Sequence, residues 1–192
     1  MIARELPSGE QIDYIGIDNV ESGRLATEHL IQQGHRRVAF LGGFSNSSVW
    51  RDRKQGYCEA LEQAGIEIDE SLFIQTLATR QGGMEAIKRV LQHPDPPTAV
   101  FCYNDVVAFG ALLGLKEAGM IPGRDMAVVG FDNVQESALF SPSLTTISAF
   151  PEQIGIHAAD ILHRRITGDT SELKRLILKP ELVVRESSSL NV

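Results

Sequence analysis

Several polar side chains follow short apolar runs, where a folded chain gathers them. Asp132 comes after Val128-Val129-Gly130-Phe131, Asn104 and Asp105 come after Phe101-Cys102-Tyr103, and Arg51 and Arg53 lie in the polar stretch beyond Leu41-Gly42-Gly43. A carboxylate accepts from two neighbouring hydroxyls, and an amide both donates and accepts. The planar fork of an arginine matches paired oxygens. A helix start disfavours positive charge, so the arginines there imply a partner. Phe44, Trp50 and Phe131 offer flat apolar surface for one face of a ring. Together these groups suit a neutral polyol held in a mostly apolar pocket. Plainer roles stand beside this one. Asn104 or Asp105 reads equally as the cap of the following helix, Asp18-Asn19 as a helix start, and Trp50 as core packing.

Other chemistries lack their residues. The chain has no Gly-x-Gly-x-x-Gly, no phosphate-binding Gly-x-x-x-x-Gly-Lys and no Gly-x-Ser-x-Gly elbow. Histidines 29, 35, 93, 157 and 163 do not follow ligand spacing, and Cys58 and Cys102 are isolated, so neither a metal nor another cofactor is expected. Asp18 and Asp132 form a conceivable acid–base pair, but no nucleophile accompanies them, and an enzyme is not expected.

The elements that must position the polar residues alternate. Helical spacing covers Glu21–Gln33, Val49–Ala64, Gly82–Gln92, Asp105–Ala118 and Pro151–Ile166, several of them closed by glycine. Between them lie short apolar runs at Arg37–Leu41, Ser71–Gln75, Thr98–Cys102, Met126–Val129 and Leu144–Ile147, with two more at Arg175–Lys179 and Glu181–Val184. Strands separated by helices predict an α/β fold, a Rossmann-like parallel sheet with helices on both faces. Ligands of such sheets sit beyond the carboxyl ends of the strands. That places Asp18-Asn19, Gly43–Arg53, Tyr103–Asp105 and Gly130–Pro142 at the candidate site.

The 192 residues suit one domain or two small lobes, and 43% hydrophobic content excludes a disordered chain. No apolar run reaches membrane-spanning length. Eighteen basic against 25 acidic residues give a net charge of −7, which argues against nucleic-acid binding by these residues themselves. Two reduced, buried thiols are expected of a cytoplasmic chain.

Ordered motifs then resemble those of the LacI/GalR transcriptional regulators. They are His29-Leu30 with Gly34-His35 and Val38-Ala39-Phe40-Leu41-Gly42-Gly43, Arg53-Lys54-Gln55-Gly56-Tyr57, Pro97-Thr98-Ala99 with Asn104-Asp105, Val128 to Asn133, Ser141-Pro142-Ser143-Leu144-Thr145-Thr146-Ile147, and Leu182 with Arg185-Glu186-Ser187-Ser188. The resemblance implies a type I periplasmic-binding-protein-like fold closing on a small effector, such as a sugar. It implies that Arg53 grips effector oxygens, with Asn104 and Asp132 at strand ends, Asp18 near the lobe boundary and Arg4 at the last strand of the first lobe. Trp50 and Phe131 complete the expected effector-binding set. Residues 18–148 and 180–192 would form the C-terminal lobe, and 1–17 and 149–179 remnants of the N-terminal lobe. Operator DNA would be met only by a head preceding this chain. A cytoplasmic homodimer with no membrane association is expected, with the helices at Gly82–Gln92 and Asp105–Gly119 as candidate faces. The alternative is a periplasmic sugar-binding protein of a transport system.

Overall fold

Short apolar runs flanked by glycine become the strands of a largely parallel sheet. A computed structural model describes residues 12–189. In chain order the elements are β1 (Tyr14–Ile17), α1 (Asn19–Gln32), β2 (Val38–Leu41), α2 (Ser48–Gln63), β3 (Phe73–Ile74), α3 (Arg80–Leu91), β4 (Ala99–Cys102), α4 (Asp105–Glu117), β5 (Ala127–Asp132), α5 (Gln135–Leu139), β6 (Thr145–Ser148), α6 (Pro151–Ile166), β7 (Arg175–Leu178) and β8 (Glu181–Val183). The larger sheet runs β3-β2-β4-β5-β6-β8, parallel except for β8, which is antiparallel to β6. A second sheet pairs β1 with β7 in parallel.

The alternating side chains of β2 explain the layers. Val38 and Phe40 face one core with Ala26, Leu30, Tyr57 and Leu61 of α1 and α2. Ala39 and Leu41 face the other, with Ile87, Val90, Leu112 and Leu115 of α3 and α4. Both faces are covered, so the strands read as continuous apolar runs. Each helix pair crosses at glycines. A Cβ at Gly23 would stand 2.1 Å from the Arg53 carbonyl, and one at Gly56 would stand 1.8 Å from that of Val20. At the other pair, a Cβ at Gly110 would meet the Arg80 carbonyl at 2.1 Å.

The smaller sheet carries α6, tied to the segment before β1 by a two-pronged ion pair, Arg165 Nε and Nη2 each 2.8 Å from the Asp13 carboxylate. That pair, with the Lys174 amide, holds the Asp13 carboxyl far below the usual range. The chain passes between the two sheets three times, between β1 and α1, between β6 and α6, and between β7 and β8.

Two expectations shift. β5 runs on to Asp132 rather than ending at Val129, and the expected loop after it holds the short α5. The run at Ser71–Gln75 shortens to a turn at Glu70–Leu72 and a two-residue strand. The apolar faces of α3 and α4 pack on each other and on the sheet, and Val106 of α4 is left exposed. Cys58 and Cys102 are unpaired thiols, and burial raises the Cys102 thiol far above its ordinary value. Among the described residues no helix is long and apolar enough to cross a membrane.

His29, buried on α1, meets the Ser188 hydroxyl at 2.7 Å, and Ser188 reaches the Thr145 hydroxyl at 2.7 Å. Burial, with a smaller contribution from nearby His35, pushes the His29 pKa below its ordinary 6.5. His35 shifts the same way through burial. The unfolded chain therefore binds more protons below about pH 6.5, so stability is full above that pH and falls beneath it. The expected outcome is a lower melting temperature at pH 5.5 than at pH 7.5, with a smaller difference in His29→Gln. An identical pH dependence in the variant would contradict this role for His29.

Candidate functional site

Arg53 lies in the second turn of α2, a helix begun by the Ser47 cap, whose hydroxyl accepts from the Trp50 amide at 3.4 Å. The close crossing with α1 carries Arg53 over the carboxyl ends of the strands. Its side chain is almost wholly buried, with 1% of its surface exposed. The guanidinium lies over the face of Phe131, Cζ 3.3 Å from the ring centroid. Nε donates to Asn19 Oδ1 at 3.0 Å, and Nη1 donates to the Tyr103 carbonyl. An arginine keeps its charge under burial, so these dipoles and the ring face do the work of water.

Arg53 and Phe131 border a cavity of about 380 Å³. Ile15, Gly16 and Ile17 of β1 form one wall, and Ala149, Pro151 and Ile154 at the β6–α6 passage form another. Val134 adds to the apolar surface, while Asn19, Arg53 and Asp132 provide the polar groups. The size and the few placed polar groups fit a small-molecule site. A carboxylate and a guanidinium in one apolar chamber can accept from and donate to adjacent hydroxyls.

The expected residues divide. Arg53, Phe131 and Asp132 come together in this cavity. Asp18 is exposed and caps α1, accepting from the Glu21 amide at 2.9 Å. It borders a second cavity of about 300 Å³ with Tyr14, Ser48, Asp52 and Arg175, which shares Ile17 and Asn19 with the first. Asn104 does not line the main cavity, because its side-chain oxygen caps α4 through the Val107 amide at 3.0 Å. Trp50 does not line it either. Its ring packs into the core, stacked on Phe40 at 5.8 Å and edge-on to Phe73. Arg51 donates to the Ser45 and Asn46 carbonyls of its own loop, which answers the partner its position implied. Phe44 is exposed and does not line the cavity. Arg4 lies outside the described residues. Asn19 was legible only as the neighbour of Asp18. The apolar lining of β1 and of the β6–α6 passage carries no chemical signature, apart from the Pro151 helix start.

The family model for the periplasmic binding protein-like domain matches residues 27–188. The chain is 39% identical over 178 residues to the HTH-type transcriptional regulator CelR of Thermobifida fusca, covering 93% of this chain and 52% of that protein. It is 33% identical over 181 residues to the HTH-type transcriptional repressor PurR of Pasteurella multocida (strain Pm70), covering 94% and 54%. The chain thus spans about half the length of the curated relatives it matches. Among solved structures, a transcriptional regulator CelR–cellobiose complex superimposes with a TM-score of 0.89 at 38% identity, covering 96% of this chain and 57% of that one. A LacI-type transcription regulator from Bifidobacterium animalis subsp. lactis gives 0.86 at 33%, covering 93% and 68%.

The close crossing that delivers Arg53 is open to test. Gly23→Ala places a methyl against the Arg53 carbonyl and forces α1 and α2 apart. The expected loss is about 1–3 kcal/mol in urea unfolding. A variant as stable as the parent would mean that the crossing does not constrain Arg53.

Proposed function

The chain belongs to the periplasmic binding protein-like domain family of LacI-type transcription regulators, and from that premise we propose that it is the effector-sensing part of such a regulator, with a sugar as its ligand. One observation carries the proposal: the buried Arg53–Phe131 stack and Asp132 border a single apolar chamber between the two sheets. Arg53 donates to effector oxygens, Asp132 accepts from effector hydroxyls, and Phe131 backs the arginine. The CelR complex with cellobiose supports a saccharide as the ligand class. The relatives are regulators rather than enzymes, and they favour regulation over transport.

The larger sheet with its four long helices is the C-terminal lobe in this reading, and the β1–β7 sheet with α6 belongs to the N-terminal lobe. An effector bridging both draws them together about the three passages, a hinge motion. Its differential affinity for the closed form sets how far the equilibrium moves. Operator DNA is engaged by a separate head in the cytoplasm, and the change in lobe angle alters the spacing of two heads in a homodimer.

The dimer surface in this reading lies at the starts of α3 and α4 and on α5, around the Arg80–Glu136 ion pair. There Leu77, Val106 and Leu139 are exposed, Leu139 by 76%. Leu139→Asp is expected to convert a sedimenting dimer into a monomer with little change in melting temperature. A variant that remains dimeric would exclude this surface.

The ligand assignment is tested by thermal melting of the full-length gene product against cellobiose, ribose, nucleosides and phosphosugars. A sugar is expected to raise the melting temperature, by mass action on the folded state. Arg53→Ala and Asp132→Ala are each expected to abolish that rise. A protein that responds to no compound is not a sensor of this class, and variants that respond normally would remove these two residues from the site.

A further inference from the structure

Asp132 and Asn133 stand one after the other at positive φ, 120° and 52°. Asparagine tolerates the left-handed region in which Asn133 lies, but Asp132 is well outside it, and a residue other than glycine holds such a conformation only when the surroundings over-determine it. The strain falls where Asp132 enters the cavity wall, so whatever sustains it also aims that carboxylate.

Asp105, at the start of α4, is wholly buried. One of its carboxylate oxygens accepts from the Val134 amide at 3.0 Å and from the Ser137 hydroxyl at 2.7 Å. The other accepts from the Thr146 hydroxyl at 2.6 Å, and the Thr146 oxygen accepts from the Asn133 amide at 3.3 Å. The two amides that follow Asp132 are therefore pinned, directly or through one hydroxyl, to a single carboxylate. Gly130 makes room for it, since a Cβ there would lie 2.2 Å from Asp105 Oδ1.

Arg185, beyond β8, grips the same turn from the opposite side in sequence. Nη2 donates to Asn133 Oδ1 at 2.9 Å and Nη1 to the Leu144 carbonyl at 2.7 Å. Its backbone is locked to Thr145, whose hydroxyl oxygen accepts from the Arg185 amide at 2.8 Å and donates to the Arg185 carbonyl at 3.0 Å. Neither Asp105 nor Arg185 lines the cavity.

We infer that Asp105 and Arg185 are positioning residues, which hold the strained Asp132-Asn133 turn so that Asp132 stays in the wall of the binding chamber. The Asp132 function rests on the proposed sensor reading, but the turn itself can be tested without an effector.

The experiment is amide hydrogen exchange on the full-length gene product without ligand, comparing the parent with Arg185→Met, Asp105→Asn and Gly130→Ala. Exchange at Asn133, Val134 and Ser137 is expected to rise by about ten-fold or more, the loss of one charge-assisted bond. Amides of β2 and β4 are expected to keep their protection, which separates local release from general destabilisation. Arg185→Lys, which retains one donor, is expected to recover part of the protection. With cellobiose as probe, Kd for Arg185→Met is expected to rise about ten-fold while the melting temperature without ligand changes little. Unchanged exchange in the turn, or an equal loss across the whole sheet, overturns the inference. Loss of protection with an unchanged Kd in a protein that binds cellobiose overturns it as well. A parent that binds no sugar removes the sensor reading and leaves the exchange result to decide this one.

Discussion

A guanidinium cannot be neutralised by burial, so the place where Arg53 lies must be built around its charge. That need draws several distant segments to one point. The start of α1 supplies the Asn19 amide oxygen, the end of β4 supplies the Tyr103 carbonyl, and β5 supplies the face of Phe131. Gly23 and Gly56 let the two helices cross closely enough for the reach to succeed. The carboxyl edge of the sheet is thus organised around a cation, and a chamber suited to hydroxyl groups follows from it.

The far edge is organised by hydroxyls. Ser187 donates to the Val128 carbonyl at 2.6 Å and accepts from the Thr145 amide at 2.9 Å. Together with the His29–Ser188–Thr145 chain, this stitches the end of the described chain across β5 and β6. These are short polar side chains in a dry interior, where a satisfied network rigidifies and an open one is costly. The Ser187-Ser188 pair is thus a fastening rather than a loose tail.

Much of this was legible in the residues. Apolar runs between glycine-stopped helices specify a doubly covered parallel sheet, and Arg53, Phe131 and Asp132 do meet at its carboxyl edge. Asn104 and Trp50 show the limit. A strand-end position does not tell whether an amide faces a ligand or turns back onto its own helix, and Asn104 turns back. Trp50 and Arg53 are three apart on one helix, yet the indole sinks between Phe40 and Phe73 while the guanidinium reaches the cavity edge. Asn133, at φ 52°, is of a type that tolerates the left-handed region, but the 120° at Asp132 lies beyond that region and leaves no trace in residue type. The cause lies in contacts with Asp105 and Arg185, remote in the chain.

The cavity has one wall on each sheet, and the two walls differ in chemistry. Phe131 and Asp132 belong to the six-stranded sheet, and Arg53 to the helix α2 packed on it. Opposite them, β1 and the β6–α6 passage present Ile15, Ile17, Ala149, Pro151 and Ile154. The directional groups are therefore held on one side, and apolar contact surface on the other. An occupant would find its hydrogen-bond geometry set from a single side and would meet the opposite wall by shape alone. Orientation and closure of contact are in this way assigned to different halves of the same chamber.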